Sequence, residues 1–304
     1  MSGISSIVEY GCLSDEQRWK ANNYNWQWLH ELDDHDKKIV ELLDCLAEGE
    51  FSGQASAAQM YDLIFQEKKS GMQKEYVYDW GEILSYINII VYEETRHGIS
   101  LGLMNHFAKS GKLDFIQNLS VREYSEKYVW CYDERTFWDL YSYALSHLFG
   151  EVINTELYRD LRSLVHHEEL RNVITNIMKD EARHTRAWSS LIKNVIEADN
   201  YHKQRFLKSV DVGLTYHNAM VHNTYFEGQN KMMHLFVNPQ EGQKGAIDRI
   251  VDVKFHLMQN LFGNDNPYTK EEIKEMHVDF LMKSLGKSSA VYAPGEEGNI
   301  SFVD

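Results

Sequence analysis

Two short segments of this chain repeat one pattern: Glu93-Glu94-Thr95-Arg96-His97 and Asp180-Glu181-Ala182-Arg183-His184. Each reads acid, Glu, any residue, Arg, His. A Glu and a His three positions apart share one face of a helix, about a turn from each other. Such a pair offers a single metal ion one carboxylate and one imidazole nitrogen. On its own, a pair of this kind on a solvated helix is common. Two of them on facing helices, each joined by a Glu from a further helix, make a two-metal box of four Glu and two His. Oxygen donors mixed with imidazole suit iron or manganese better than thiolate-seeking metals.

The spacing predicts where the other carboxylates lie. Glu151 is 57 positions after Glu94 and 30 before Glu181. At a rise of about 1.5 Å per residue, 30 residues amount to two half-helices and a tight turn. They return the chain to the same depth in an antiparallel neighbour. Glu151 also interrupts an apolar run, ALSHLFGEVI, where a bare carboxylate would be costly to bury. For the fourth carboxylate, reflection through a turn at 77–81 selects Glu67, which lies 27 positions before Glu94. Asp62 and Glu75 compete, and QEKKS around Glu67 also reads as an ordinary charged face.

Long helices must position these residues. All three prolines (Pro239, Pro267, Pro294) fall in the last quarter, leaving 238 residues without one. A bundle of long helices requires that absence, because proline breaks helix interiors. Apolar residues recur at three- and four-residue steps over 82–110, 134–163 and 167–198, with no sustained strand-like alternation. Helices are also expected at about 14–48 (capped at Ser14), 56–76, 203–236 and 243–262, and from a Thr269 cap to Leu285. The reading is one all-α domain over 1–304.

Composition narrows the function classes. A formal charge of −15 argues against nucleic-acid binding. No apolar run is long enough to span a bilayer, and no secretory leader is evident. Three separated cysteines without a CxxC pair suit a reducing cytoplasm. No glycine fingerprint for a nucleotide and no iron–sulfur cysteine spacing is present, so electrons for any redox chemistry must come from elsewhere.

The segments VYEETRHGISL and KDEARHTRAW, with the lone Glu151 between them, resemble the ferritin-like di-iron carboxylate oxidases and oxygenases. Within that family they are most similar to the soluble acyl-carrier-protein desaturases. The resemblance covers about residues 55–200. It implies a ferritin-like four-helix bundle with additional N- and C-terminal helices. It also implies two iron ions, with manganese able to replace one; Glu94, His97, Glu151, Glu181 and His184 would hold them, together with the fourth carboxylate that reflection selects, Glu67 or in second place Asp62. Asp180 would then hydrogen-bond a ligand His of the opposite pair, while Arg96 and Arg183 support carboxylates. The implied activity is O2-dependent desaturation or hydroxylation of an acyl chain carried on a protein or on coenzyme A. A ferredoxin-type donor would supply electrons, and a homodimer is the implied assembly.

Two positions bear on the reaction. Such desaturases carry Thr three residues after the lone Glu, where this chain has Asn154. Thr155, one residue further on, is similar instead to bacterial multicomponent monooxygenases and would sit by the oxygen pocket. Amine N-oxygenases of the same fold are the first alternative, but their additional His one turn before the last Glu is here Ile177. An iron-binding protein without organic substrate is the second.

Other ligand-capable residues have plainer readings. His147, one turn before Glu151, reads as a hydrogen-bonded core histidine. His166-His167 reads as a helix start. Trp138, Tyr141, Tyr143 and Phe149 read as core, and Tyr216, His217, His222 and Tyr225 as packing.

Overall fold

A computed structural model describes residues 6–21, 24–41, 43–51, 53–115, 139–219 and 245–285. Among these residues all regular structure is helical. Numbered over the described residues, the helices are α1 (Ile7–Glu16), α2 (Asp34–Glu41), α3 (Asp44–Phe51), α4 (Gly53–Lys69), α5 (Lys74–Asp79) and α6 (Gly81–Ser110). They continue with α7 (Leu140–Leu164), α8 (Glu168–Ala198), α9 (Asn200–Ala219), α10 (Ala246–Phe262) and α11 (Lys270–Leu285). No helix among them is long and apolar enough to cross a membrane.

Helix ends follow local chemistry. Asp139 caps α7 by accepting from the N–H groups of Tyr141 and Ser142, while Ser142 Oγ accepts from Asp139 N–H. The Thr269 cap expected for α11 is present and reciprocal with Glu272. His167 starts α8, as its position suggests, and the buried Asp36 carboxylate accepts from the N–H groups of His166 and His167. α6 stops at Gly111, whose φ of 70° lets its N–H return to Phe107 O.

Four long faces close on one another. α6 packs against α3 and α4, α8 against α6, α7 against α8, and α4 against α7. α9 and α10 both pack on α7, and α11 lies outside them. The apolar stripes meet as expected: Ile83, Ile87 and Ile90 of α6 join Leu145 and Leu148 of α7 and Leu191 and Ile192 of α8 in one core.

The N-terminal half departs from expectation. The region 14–48 is not one helix. Ser14 lies inside α1, whose cap is Ser6 accepting from Glu9 N–H. The chain then passes through a 3-10 turn at Trp26–Glu31 before α2 and α3. Ser-Asp-Glu is a cap pattern only when the preceding residues are extended, and Ile7–Leu13 are helical instead. The helix expected over 203–236 is seen as Asn200–Ala219. Its remainder, the side chains of Tyr216 and His217, and all of His222, Tyr225, Trp138 and residues 134–138 lie outside what the structure describes.

Candidate metal centre

α6 and α8 bring the two repeated segments face to face. Glu94, His97, Glu181 and His184 converge there, and α7 adds Glu151. The fourth carboxylate comes from α3 and is Glu50. Two overlapping groups result: Glu50, Glu94, His97 and Glu181, and Glu94, Glu151, Glu181 and His184. Glu94 and Glu181 belong to both. Within each group one atom per residue lies within 4.8 Å of the others. Glu50, His97, Glu151, Glu181 and His184 are all buried.

Glu67 does not join them. Its carboxylate forms a two-pronged pair with Arg205 of α9 (2.6 and 3.1 Å), and Arg205 also holds the cap residue Asp139 (3.1 Å). Asp62 is exposed and bonded to Gln66, and Glu75 is exposed. The turn expected at 77–81 lies earlier: α4 ends at Lys69, Gly71 takes φ 99°, and Lys74–Asp79 is helical. Residue 72 is midway between Glu50 and Glu94, so reflection through the observed turn selects Glu50 instead of Glu67. A signal was available. Leu43, Ala47 and Glu50 follow a buried stripe of three- and four-residue steps, which made Glu50 as anomalous as Glu151. Close approach of α3 to α6 depends on Gly98, because a Cβ there would meet the Phe51 ring at 3.0 Å.

Beyond the carboxylates, the two halves mirror each other. His184 Nε2 lies 2.8 Å from Glu93 Oε2, and His97 Nε2 lies 3.0 Å from Asp180 Oδ2. A carboxylate only accepts, so each Nε2 carries the proton and each Nδ1 presents its lone pair to the centre. Asp180 therefore sits as expected, on the histidine of the opposite segment, and Glu93 is its unforeseen counterpart. Arg183 donates to Glu93 (2.6 Å) and pairs with Asp180 (2.9 Å), while Arg96 donates to Asp180 (2.7 Å). Burial alone would raise both acids. For Glu93, the His184 hydrogen bond and charge with Arg183 outweigh it. For Asp180, His97, Arg183 and Arg96 do so. Both are held well below the usual carboxylate range.

The segment after residue 6, which sequence reasoning did not connect to the site, closes this layer. Tyr10 and Ser14 donate to Glu93, the latter at 2.5 Å. Trp19 Nε1 donates to Asp180 (2.7 Å), and its ring stacks on His97. Tyr158, two turns beyond Glu151 on α7, donates to Glu50 Oε1 at 2.5 Å.

The central atoms are crowded and unsatisfied. His184 Nδ1 lies 2.9 Å from Glu94 Oε1 and 3.7 Å from Glu151 Oε2, yet none of these three atoms forms an aligned hydrogen bond. Both carboxylate oxygens of Glu181 are also buried and unpartnered. Burial, and then the Glu94 charge, pushes Glu50 up to about 8; burial, and then Glu181, pushes Glu151 well up. Lone pairs and like charges aimed at shared points without donors are the arrangement a bound cation would satisfy.

Thr155 Oγ donates to the Glu151 carbonyl (2.8 Å), and Ile177 is buried apolar core. His147 stacks on Trp188 and is a member of neither metal-type group, and Tyr141, Tyr143 and Phe149 are core. His35, Asp36 and His166 form a third ligand-capable group, but the Asp36 carboxylate already caps the start of α8. Neither protein-family models, curated proteins nor solved structures match this chain.

Proposed function

We propose that the chain is an O2-dependent di-iron oxidase or oxygenase on a ferritin-like bundle, oxidising an organic substrate. One observation carries this reading: two Glu/His groups share Glu94 and Glu181, and each includes an imidazole whose Nδ1 lone pair meets carboxylates instead of donors. Glu50 and His97 would hold one ion and Glu151 and His184 the other, with Glu94 and Glu181 common to both. Hard oxygen donors with one imidazole per ion favour iron, with manganese as the metal able to replace one. When bound, such a pair supplies O2 reduction and substrate oxidation.

The chain's own residues set the conditions. Glu93 and Asp180 fix the imidazole tautomers and orientations. Arg96 and Arg183 offset the acids that do so. Tyr10, Ser14 and Trp19 cover that layer, and Tyr158 holds Glu50. The favoured substrate is a carrier- or coenzyme-A-bound acyl chain, desaturated or hydroxylated, with electrons from a ferredoxin-type donor. Buried Ile177 offers no nitrogen for the extended ligand set of the amine N-oxygenases.

The test is anaerobic loading with Fe2+, followed by O2 with reductant and, side by side, acyl thioesters and aryl amines. About two irons per chain and oxidised acyl product are expected. Turnover of amines alone would sink the acyl assignment, and failure to retain iron would sink the metal centre.

A further inference from the structure

A second set of orphaned polar groups lies away from the candidate metal centre. Lys254 of α10 is fully buried, and its Nζ has no hydrogen-bond partner among the described residues. The ammonium sits 5.2 Å from the centroid of the Phe149 ring. His277 of α11 is 9% exposed, and its Nε2 is likewise unpartnered. Burial, and then the Lys254 charge, lowers the imidazole pKa well below its usual value, and the two helices that carry these groups pack on each other. Their surroundings are apolar. Ile250, Val251 and Met258 lie about one turn from Lys254 on α10, and Ile273 one turn before His277; all are buried.

An ammonium without a counter-ion is among the most expensive groups to bury. Burial pushes the Lys254 amine down to about 7. Met or Leu would fill the same space at lower cost, so the lysine has a penalty that, among the described residues, only its contact with the Phe149 ring offsets. The missing complement is an acceptor with one negative charge, reachable by two donors from two helices.

We propose that Lys254 and His277 form a binding site for the carboxylate of a small, otherwise apolar organic acid. The carboxylate accepts from Lys254 Nζ and His277 Nε2–H, and the apolar body lies against Phe149 and Met258. A phosphate dianion would bring a second negative charge into a dry setting with one matching cation, so the monocarboxylate is favoured.

The site is separate from the metal-type cluster and independent of the function proposed above. Phe149 and Glu151 are two positions apart on α7, about 200° around the helix, so they face opposite sides. Entry needs movement of one peripheral helix, because α11 packs chiefly on α10 and α9.

The full chain is titrated with butyrate and benzoate, with butyramide and benzamide as neutral isosteres and inorganic phosphate as a further arm. Thermal midpoint and calorimetric binding are read. The carboxylates should give a saturable rise in midpoint, and the amides and phosphate should not. Lys254→Met and His277→Leu should each weaken carboxylate binding roughly tenfold or more. Lys254→Met removes a buried amine and should fold at least as stably as the parent, so its loss of response cannot be assigned to unfolding. Absence of a saturable response in the parent would overturn the site. Equal binding of butyrate by Lys254→Met would do the same, as would amides or phosphate binding as tightly as the carboxylates.

Discussion

Around His184 the supporting acid, Glu93, is held by Tyr10 and Ser14 of α1, whereas around His97 the matching Asp180 is held by Trp19, beyond the end of that helix. The outer carboxylates differ too. Glu151 comes from α7, which packs on α8, and Glu50 from α3, which packs on α6. Glu50 accepts from a phenol, Tyr158, whereas Glu151 Oε2 has no hydrogen-bond donor among the described residues. One repeated motif thus sits at the centre of two unlike shells. On the Glu50 side a side-chain hydrogen bond from Tyr158 shares the work of positioning the carboxylate.

Arg183 joins the halves, so removing it should break the comparison most severely. It is 1% exposed and reaches both Glu93 and Asp180, while Arg96 approaches Glu93 only at 3.7 Å. Arg183→Leu removes a buried cation from both acids and should cost about 3–5 kcal/mol in denaturant unfolding. Arg96→Leu should cost distinctly less, and equal losses would show that the halves do not share Arg183 as drawn.

Lys254 gives a second stability test away from the metal-type cluster. Its folded pKa of about 7 lies below the ordinary 10.5. Between those values the unfolded chain binds the proton and the folded chain does not, so stability rises as pH climbs from about 7 towards 10.5. Lys254→Met should flatten this part of the pH–stability curve, and an unchanged slope would mean the amine is not held as described.

Asp180→Asn and Glu93→Gln sharpen the comparison within the metal-type site. Each should weaken metal affinity by roughly 10–100-fold, measured by competition with a chelating dye. Glu93→Gln should also loosen α1, seen as faster proteolysis within residues 6–16, and Asp180→Asn should not. Tyr158→Phe should have the smallest effect, about 1 kcal/mol on the metal-free protein. A matching loss from Tyr86→Phe, whose hydroxyl makes only a 3.5 Å contact to the His184 carbonyl, would remove any special role for Tyr158.

Much of this was legible in the sequence because its information is local. The spacing of Glu94 to His97 and of Glu181 to His184 fixes a shared helix face, and Glu151 betrays itself as an acid in an apolar run. Asp180 followed from the motif, and α7 and α8 from periodicity and the His166-His167 start. Glu50 is not reached by reflection through 77–81 because the chain turns at 70–73, where Gly71 takes φ 99°, and the short helix α5 occupies the segment that reads as a turn. Ser14 was misread for another reason. Its hydroxyl serves Glu93, 79 positions away, and no local window distinguishes that task from capping.

Metal stoichiometry across four proteins tests the central claim most directly: the parent, Glu181→Ala, Glu50→Ala and Glu67→Ala, each loaded anaerobically with Fe2+ and desalted before iron analysis. The account predicts about two irons per chain for the parent and for Glu67→Ala, about one for Glu50→Ala, and close to none for Glu181→Ala, which strips a carboxylate from both groups. Full iron in Glu50→Ala together with loss in Glu67→Ala would contradict it.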